Sequence, residues 1–168
     1  MTMPGNRRSR GIGMIEVLVA VVVVSLGLLG VATTLLEVTR STSSSYLKQQ
    51  AVQHAYGMID RMRANALEGR LLSGNPYVVA MQAAPAATTS CSTCTPAQLA
   101  SMDVQQWLSD LKTALPGGRG SVAVAAGVAP NNATIVTVTV QWSDAPAQSN
   151  FNGPASTSSS SYTVVSAL

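Results

Sequence analysis

The sequence predicts an α+β chain in which the distal half of a long N-terminal helix packs on a small antiparallel sheet, joined by a second, short helix. Three observations predict it. Residues 17–36 are uncharged and form one apolar run; Leu47, Ala51, Ala55, Met58, Ile59 and Met62 recur at helical spacing; residues 135–142 alternate between apolar and polar. At 168 residues the chain holds one domain of ordinary size and an accessory segment, with no room for a two-domain enzyme. Charged residues make up only 10%, so Ser, Thr, Gln and Ala must cover much of the surface. The formal charge of +3 comes from Arg7, Arg8 and Arg10; seven basic residues then face seven acidic ones. With aromatics at 4%, the chain has neither a basic groove nor stacking platforms, which excludes a nucleic-acid partner. Two cysteines and one histidine leave too little for a multi-ligand metal site or a Cys/His nucleophile.

The apolar run opens the first helix. Twenty helical residues span about 30 Å, the thickness of a bilayer hydrocarbon core. The arginines before it place the N-terminus in the cytoplasm and everything after Leu36 outside it. A secretory signal peptide shares the basic start, and Gly30-Val31-Ala32 offers small residues to a signal peptidase, but its apolar core is typically about 7–15 residues. A plain anchor explains the length but not the acid, Glu16, that abuts the run. A carboxylate at the membrane edge calls for a partner, and no basic residue of the helix is near enough to provide one.

Beyond Leu36 no proline interrupts the chain until Pro76, and the spacing predicts a helix over residues 12–67, roughly 80 Å long. Residues 39–45, TRSTSSS, are poor helix formers and predict a bend or fraying. His54 and Tyr56 read as surface or packing residues and the methionines as core filler. Residues 68–95 read as an irregular connection with room for a small strand at Tyr77, Val78 and Val79.

Cys91 and Cys94 form a CxxC. A zinc site needs a second pair and a thioredoxin-like motif needs a βαβ context, and both are missing, which leaves a structural disulfide in an oxidising compartment. Thr95-Pro96-Ala97-Gln98 then reads as a capping box opening a second helix, carried by Leu99, Trp107, Leu108, Leu111 and Leu115 and ended by Pro116-Gly117-Gly118. Asp103 with Gln106 offers an alternative start near Met102. Strands follow at residues 121–124, 135–142 and 162–167. Pro130-Asn131-Asn132 turns between the first two, and residues 144–161 form a loop with a serine tract. Trp107 and Trp142 fall at core spacings.

The order Gly11, Ile12, Gly13, Met14, Ile15, Glu16, Val17, a basic leader ending in glycine and then an apolar helix with an acid at its fifth position, resembles the type IV prepilin signal. The resemblance implies cleavage between Gly11 and Ile12 by a prepilin peptidase, N-methylation of Ile12, and pairing of Glu16 with the N-terminal amine of a neighbouring subunit. Ile12 stands where the family usually has Phe. The CxxC followed by residues 97–122 and TVTVQWSD (residues 137–144) resembles the PilV family of pilus modification proteins, which are minor type IV pilins.

That resemblance implies a type IV pilin-like fold divided into a leader (1–11), a transmembrane and assembly half of the helix (12–36), its distal half (37–70) and a globular head (71–168). It further implies a non-enzymatic inner-membrane subunit with a periplasmic head, whose partners are other minor pilins, a major pilin and the prepilin peptidase. It would help to start pilus assembly and enter the pilus at its tip. No cofactor, metal, nucleic acid or small-molecule substrate is expected. A pseudopilin of a type II secretion system shares the first thirty-odd residues and is the alternative. An enzyme is disfavoured because the chain offers no Ser/His/Asp set, no paired catalytic carboxylates and no phosphate-binding glycine loop.

Overall fold

The computed structural model describes residues 13–85, 93–128, 132–144 and 159–168. The chain forms two compact units, Met1–Arg40 and Ser41–Leu168. In order, its elements are α1 (Met14–Ala64), α2 (Ala66–Gly69), β1 (Val79–Gln82), α3 (Pro96–Ala114), β2 (Arg119–Ala126), β3 (Thr134–Ser143) and β4 (Ser159–Ala167).

The second unit is a four-stranded antiparallel sheet in the order β1-β2-β3-β4, covered on one face by helices. Alternation sets the register. Val136, Val138, Val140 and Trp142 of β3 are buried, while Ile135, Thr137, Thr139 and Gln141 turn to the other face. Against the buried face lie Leu47, Ala51, Ala55, Met58, Ile59 and Met62 of α1 and Ala100, Val104, Trp107, Leu108 and Leu111 of α3. These are the residues that the helical spacing in the sequence selects, and the long helix packed on a small antiparallel sheet is the expected α+β architecture.

Gly120 of β2 allows a close approach of α3 to the sheet in this core. A Cβ there would run into the Trp107 ring and lie 2.9 Å from Leu111 Cδ1, so only glycine lets the indole lie over the strand. The indole Nε1 donates to the His54 carbonyl at 2.9 Å, which also ties α3 to α1. The capping box at α3 is formed as its sequence predicts, with Thr95 Oγ1 accepting from the Gln98 amide and Gln98 Oε1 accepting from the Thr95 amide.

Several boundaries differ from the sequence reading. The serine-rich residues 39–45 lie inside α1. Ser44 Oγ donates to the buried carboxylate of Asp144 at 2.9 Å, a tertiary contact that outweighs weak local propensity. α1 ends at Ala64 rather than Leu67, because Asn65 leaves helical geometry and its side-chain amide donates to the Pro96 carbonyl at 2.8 Å. α3 does not restart near Met102. The serine tract's last residues, Ser159, Ser160 and Ser161, are the first of β4, where they pair with Ser143, Trp142 and Gln141. The Pro130-Asn131 part of the expected turn lies outside the described residues.

Candidate assembly interface

The described part of the first unit presents mainly apolar surface. Residues 13–39 are exposed on every side of α1, including Met14, Ile15, Leu18, Leu26, Leu28, Leu29, Leu35 and Leu36. By length and composition this helix is able to cross a membrane. Its few hydroxyl groups suit an apolar medium, because each returns to its own helix: Ser25 to the Val21 carbonyl at 2.6 Å, Thr33 to Gly30 at 2.8 Å, and Thr39 to Leu35 at 2.9 Å.

Glu16 stands in the first turn of α1, and its amide donates to the Gly13 carbonyl at 2.9 Å. A carboxylate is favoured at this end of a helix, where unpaired amides and the macrodipole are positive. Here the helix carries it at the edge of the apolar run. The only other charges of the described part of this unit are Glu37 and Arg40, at the far end. Glu16 is therefore separated from them by twenty uncharged residues. Gly11 and Ile12, the expected cleavage and methylation positions, lie outside the described residues.

Of the CxxC, Cys91 also lies outside the described residues. Cys94 sits just before α3, its Sγ 3.4 Å from Met102 Sδ. Among the described residues no group of three His, Cys, Asp or Glu side chains is placed to hold a metal.

The head contains a polar network that sequence reading missed. The Tyr77 side chain is buried, and its hydroxyl donates to Asp103 Oδ2 at 2.8 Å. Arg61 of α1 donates to the Asp103 carbonyl at 2.9 Å and reaches Asp110 at 3.3 Å. Burial, and then the hydrogen bond to Asp103, push the Tyr77 hydroxyl far above its usual range, so it stays protonated. His54 is pushed below its usual value by burial, partly offset by Asp110. These groups are engaged with one another across α1, α3 and the connection, and act as fasteners of the head. Tyr77 and Asp103 are 26 residues apart and belong to no shared motif, so the sequence carried no signal for them.

A long N-terminal helix, apolar and exposed at its start, with a small antiparallel sheet after it, is the type IV pilin-like α+β fold. The chain matches the family model of the prokaryotic N-terminal methylation motif over residues 6–32, the segment that contains Gly11, Ile12 and Glu16. The motif is a prepilin-like signal and supports a protein of the type IV pilin kind. It implies processing by a prepilin peptidase and assembly with pilins in a membrane, and points to a structural, non-enzymatic subunit. No curated protein and no solved structure matches the chain significantly.

Proposed function

We propose that the chain is a minor type IV pilin of the PilV kind, a subunit of an inner-membrane complex that primes pilus assembly. The observation that carries this reading is the exposed apolar start of α1 with a single acid, Glu16, in its first turn, inside the segment matched by the methylation motif. The leader 1–11 is removed between Gly11 and Ile12 and the new amine is methylated. Residues 12–36 hold the subunit in the membrane, residues 37–70, within which α1 ends at Ala64, lead into the periplasm, and the head, 71–168, meets other minor pilins and the major pilin. Glu16 pairs with a neighbour's N-terminal amine as the helices slide together, since an unpaired carboxylate at that depth is costly. Cys91 and Cys94 close a short loop as a disulfide, which thiol alkylation without reductant would leave unmodified.

The decisive experiment is the intact mass and N-terminal sequence of the membrane-extracted chain, produced with and without a prepilin peptidase. A peptidase-dependent start at Ile12 supports the proposal. A start at Thr33, or an uncut chain in both cases, would overturn it.

A further inference from the structure

The helices cover one face of the head sheet, and the residues of the other face are exposed or half-buried. On β2, β3 and β4 these outer residues fall into cross-strand rows. In order along the strands the rows are Arg119-Gln141-Ser161, Ser121-Thr139-Thr163, Ala123-Thr137-Val165 and Ala125-Ile135-Ala167. The face is therefore graded. Arg119, its one charge, lies in the first row with an amide, hydroxyls fill the second, where Thr139 and Thr163 are 3.0 Å apart, and methyl groups dominate the last two, where Val165 is 61% exposed. No aromatic ring stands out of these rows, so the surface is low and even.

Two contacts fix the direction of α1 over this sheet. Ser44 donates to Asp144, which follows Ser143, the partner of Ser159 at the start of β4. Arg63 donates to the Ser166 hydroxyl at 2.9 Å, near the end of β4. Within the head, α1 thus runs in the same sense as β4, from the polar end of the outer face toward its apolar end.

We propose that this outer face is a docking site for the same face of a second copy of the chain, the two sheets packed in aligned fashion about a two-fold axis that runs along the strands over β3. Such an axis keeps every row at its own height. Arg119 of one copy meets Ser161 of the other, Ser121 meets Thr163, Ala123 meets Val165 and Ala125 meets Ala167, while Gln141, Thr139, Thr137 and Ile135 each face themselves. Polar groups meet polar ones, methyl groups meet methyl groups, and the small Ala123 receives the larger Val165. An axis across the strands would instead lay Arg119 on Ala125 and Gln141 on Ile135, stranding a charge and an amide against apolar groups. The grading alone thus selects the axis along the strands. That axis also leaves α1 of both heads running the same way, so both heads are entered from one side, as anchoring through the N-terminal end of α1 in one membrane requires. The face spans about 14 by 26 Å, less than the roughly 800 Å² per partner of a standard interface, so the contact is weak between freely diffusing molecules. Copies confined to one membrane by α1 meet at a raised effective concentration, and in this respect the inference rests on the anchoring proposed above.

The test uses the full-length chain in bacterial membranes carrying Ile135→Cys, Thr137→Cys or Gln141→Cys singly, treated with a short bis-maleimide, with the chain lacking these substitutions as background. All three positions lie on β3 beneath the axis, so each should give a cross-linked dimer above background. Ile135 and Gln141 are about 20 Å apart along the strand, and an end-for-end pairing cannot bring both of them to their own counterparts. Adding Val165→Glu to Thr137→Cys sets a carboxylate against Ala123 of the other copy and should abolish the dimer, while thermal unfolding of the head is unchanged because Val165 is exposed. Cross-linking at only one of Ile135 and Gln141, equal cross-linking with and without Val165→Glu, or none above background in the membrane fraction would overturn the proposal. Recovery of the chain in the soluble fraction would refute the anchoring instead, and the same variants compared there at raised protein concentration would still decide the face.

Discussion

The Tyr77 hydroxyl donates to the Asp103 carboxylate at 2.8 Å, joining the connection after α2 to the middle of α3. Arg61 donates to the carbonyl of the same aspartate, so three separate segments meet at one residue. The sequence offers Asp103 as a possible helix cap. In the fold α3 already has its cap at Thr95, and Asp103 is left to accept from a buried phenol.

Replacing Tyr77 with Phe should therefore destabilise the head by about 1.5–3 kcal/mol, the net worth of a hydrogen bond to a charged group. The effect has a pH signature. Because the folded-state hydroxyl titrates above its unfolded value, its stabilisation is complete below about pH 10 and is lost as pH rises beyond that. Thermal unfolding from neutral to strongly alkaline pH should show a decline that Tyr77→Phe reduces. An identical decline in both proteins would mean that other groups cause it.

Gly120→Ala should cost about 1–3 kcal/mol, the usual penalty for forcing a group into a filled core. The added carbon meets the Trp107 ring and Leu111, and the ring is held from its other end by the bond from Nε1 to the His54 carbonyl. Indole fluorescence should shift in the same variant, because the ring must move. A variant as stable as the parent with unchanged fluorescence would show that the ring has free space beside it.

These two contacts mark what was legible in the sequence and what was not. Helical spacing in residues 47–62, the Thr95/Gln98 box and the period of two in β3 are local signals, and each produces its element because the packing reinforces the local preference. Residues 39–45 have the opposite character. Their composition disfavours helix, and α1 includes them with Ser44 bonded to Asp144, one hundred positions along the chain. The serines of β4 read as loop for the same reason, since it is the pairing partner Gln141-Trp142-Ser143 that makes Ser159, Ser160 and Ser161 a strand. Of the assembly segment, the apolar run and Glu16 were legible because neither depends on tertiary contacts; the Tyr77 network depends on nothing else.

His54 should titrate below about 6.5, the ordinary histidine value, because burial disfavours its charged form. Asp110 opposes that shift, so Asp110→Asn should lower the value further, and proton NMR of the single imidazole reads both directly. Because the folded-state value is depressed, the linked stability is present above about pH 6.5 and declines as pH falls below it. A rise in the His54 value on Asp110→Asn would mean that loss of the Asp110 partner frees Arg61 to move away from the ring.

Glu16→Ala tests the assembly reading at its most exposed point. The substitution removes a charge from the edge of the apolar run and so should leave the chain in the membrane fraction, or hold it there more firmly. Residues 41–168 form their own core without Glu16, so the unfolding temperature of the head should not change. What should be lost is the charge pair with a neighbouring amine, and with it co-purification of other pilins from detergent-solubilised membranes. Glu16→Gln separates charge from hydrogen bonding: if the ion pair sets the register of the helices, Gln should fail as Ala does. Pilins recovered with either variant at the parent's level would remove Glu16 from the assembly mechanism and leave α1 as an anchor alone.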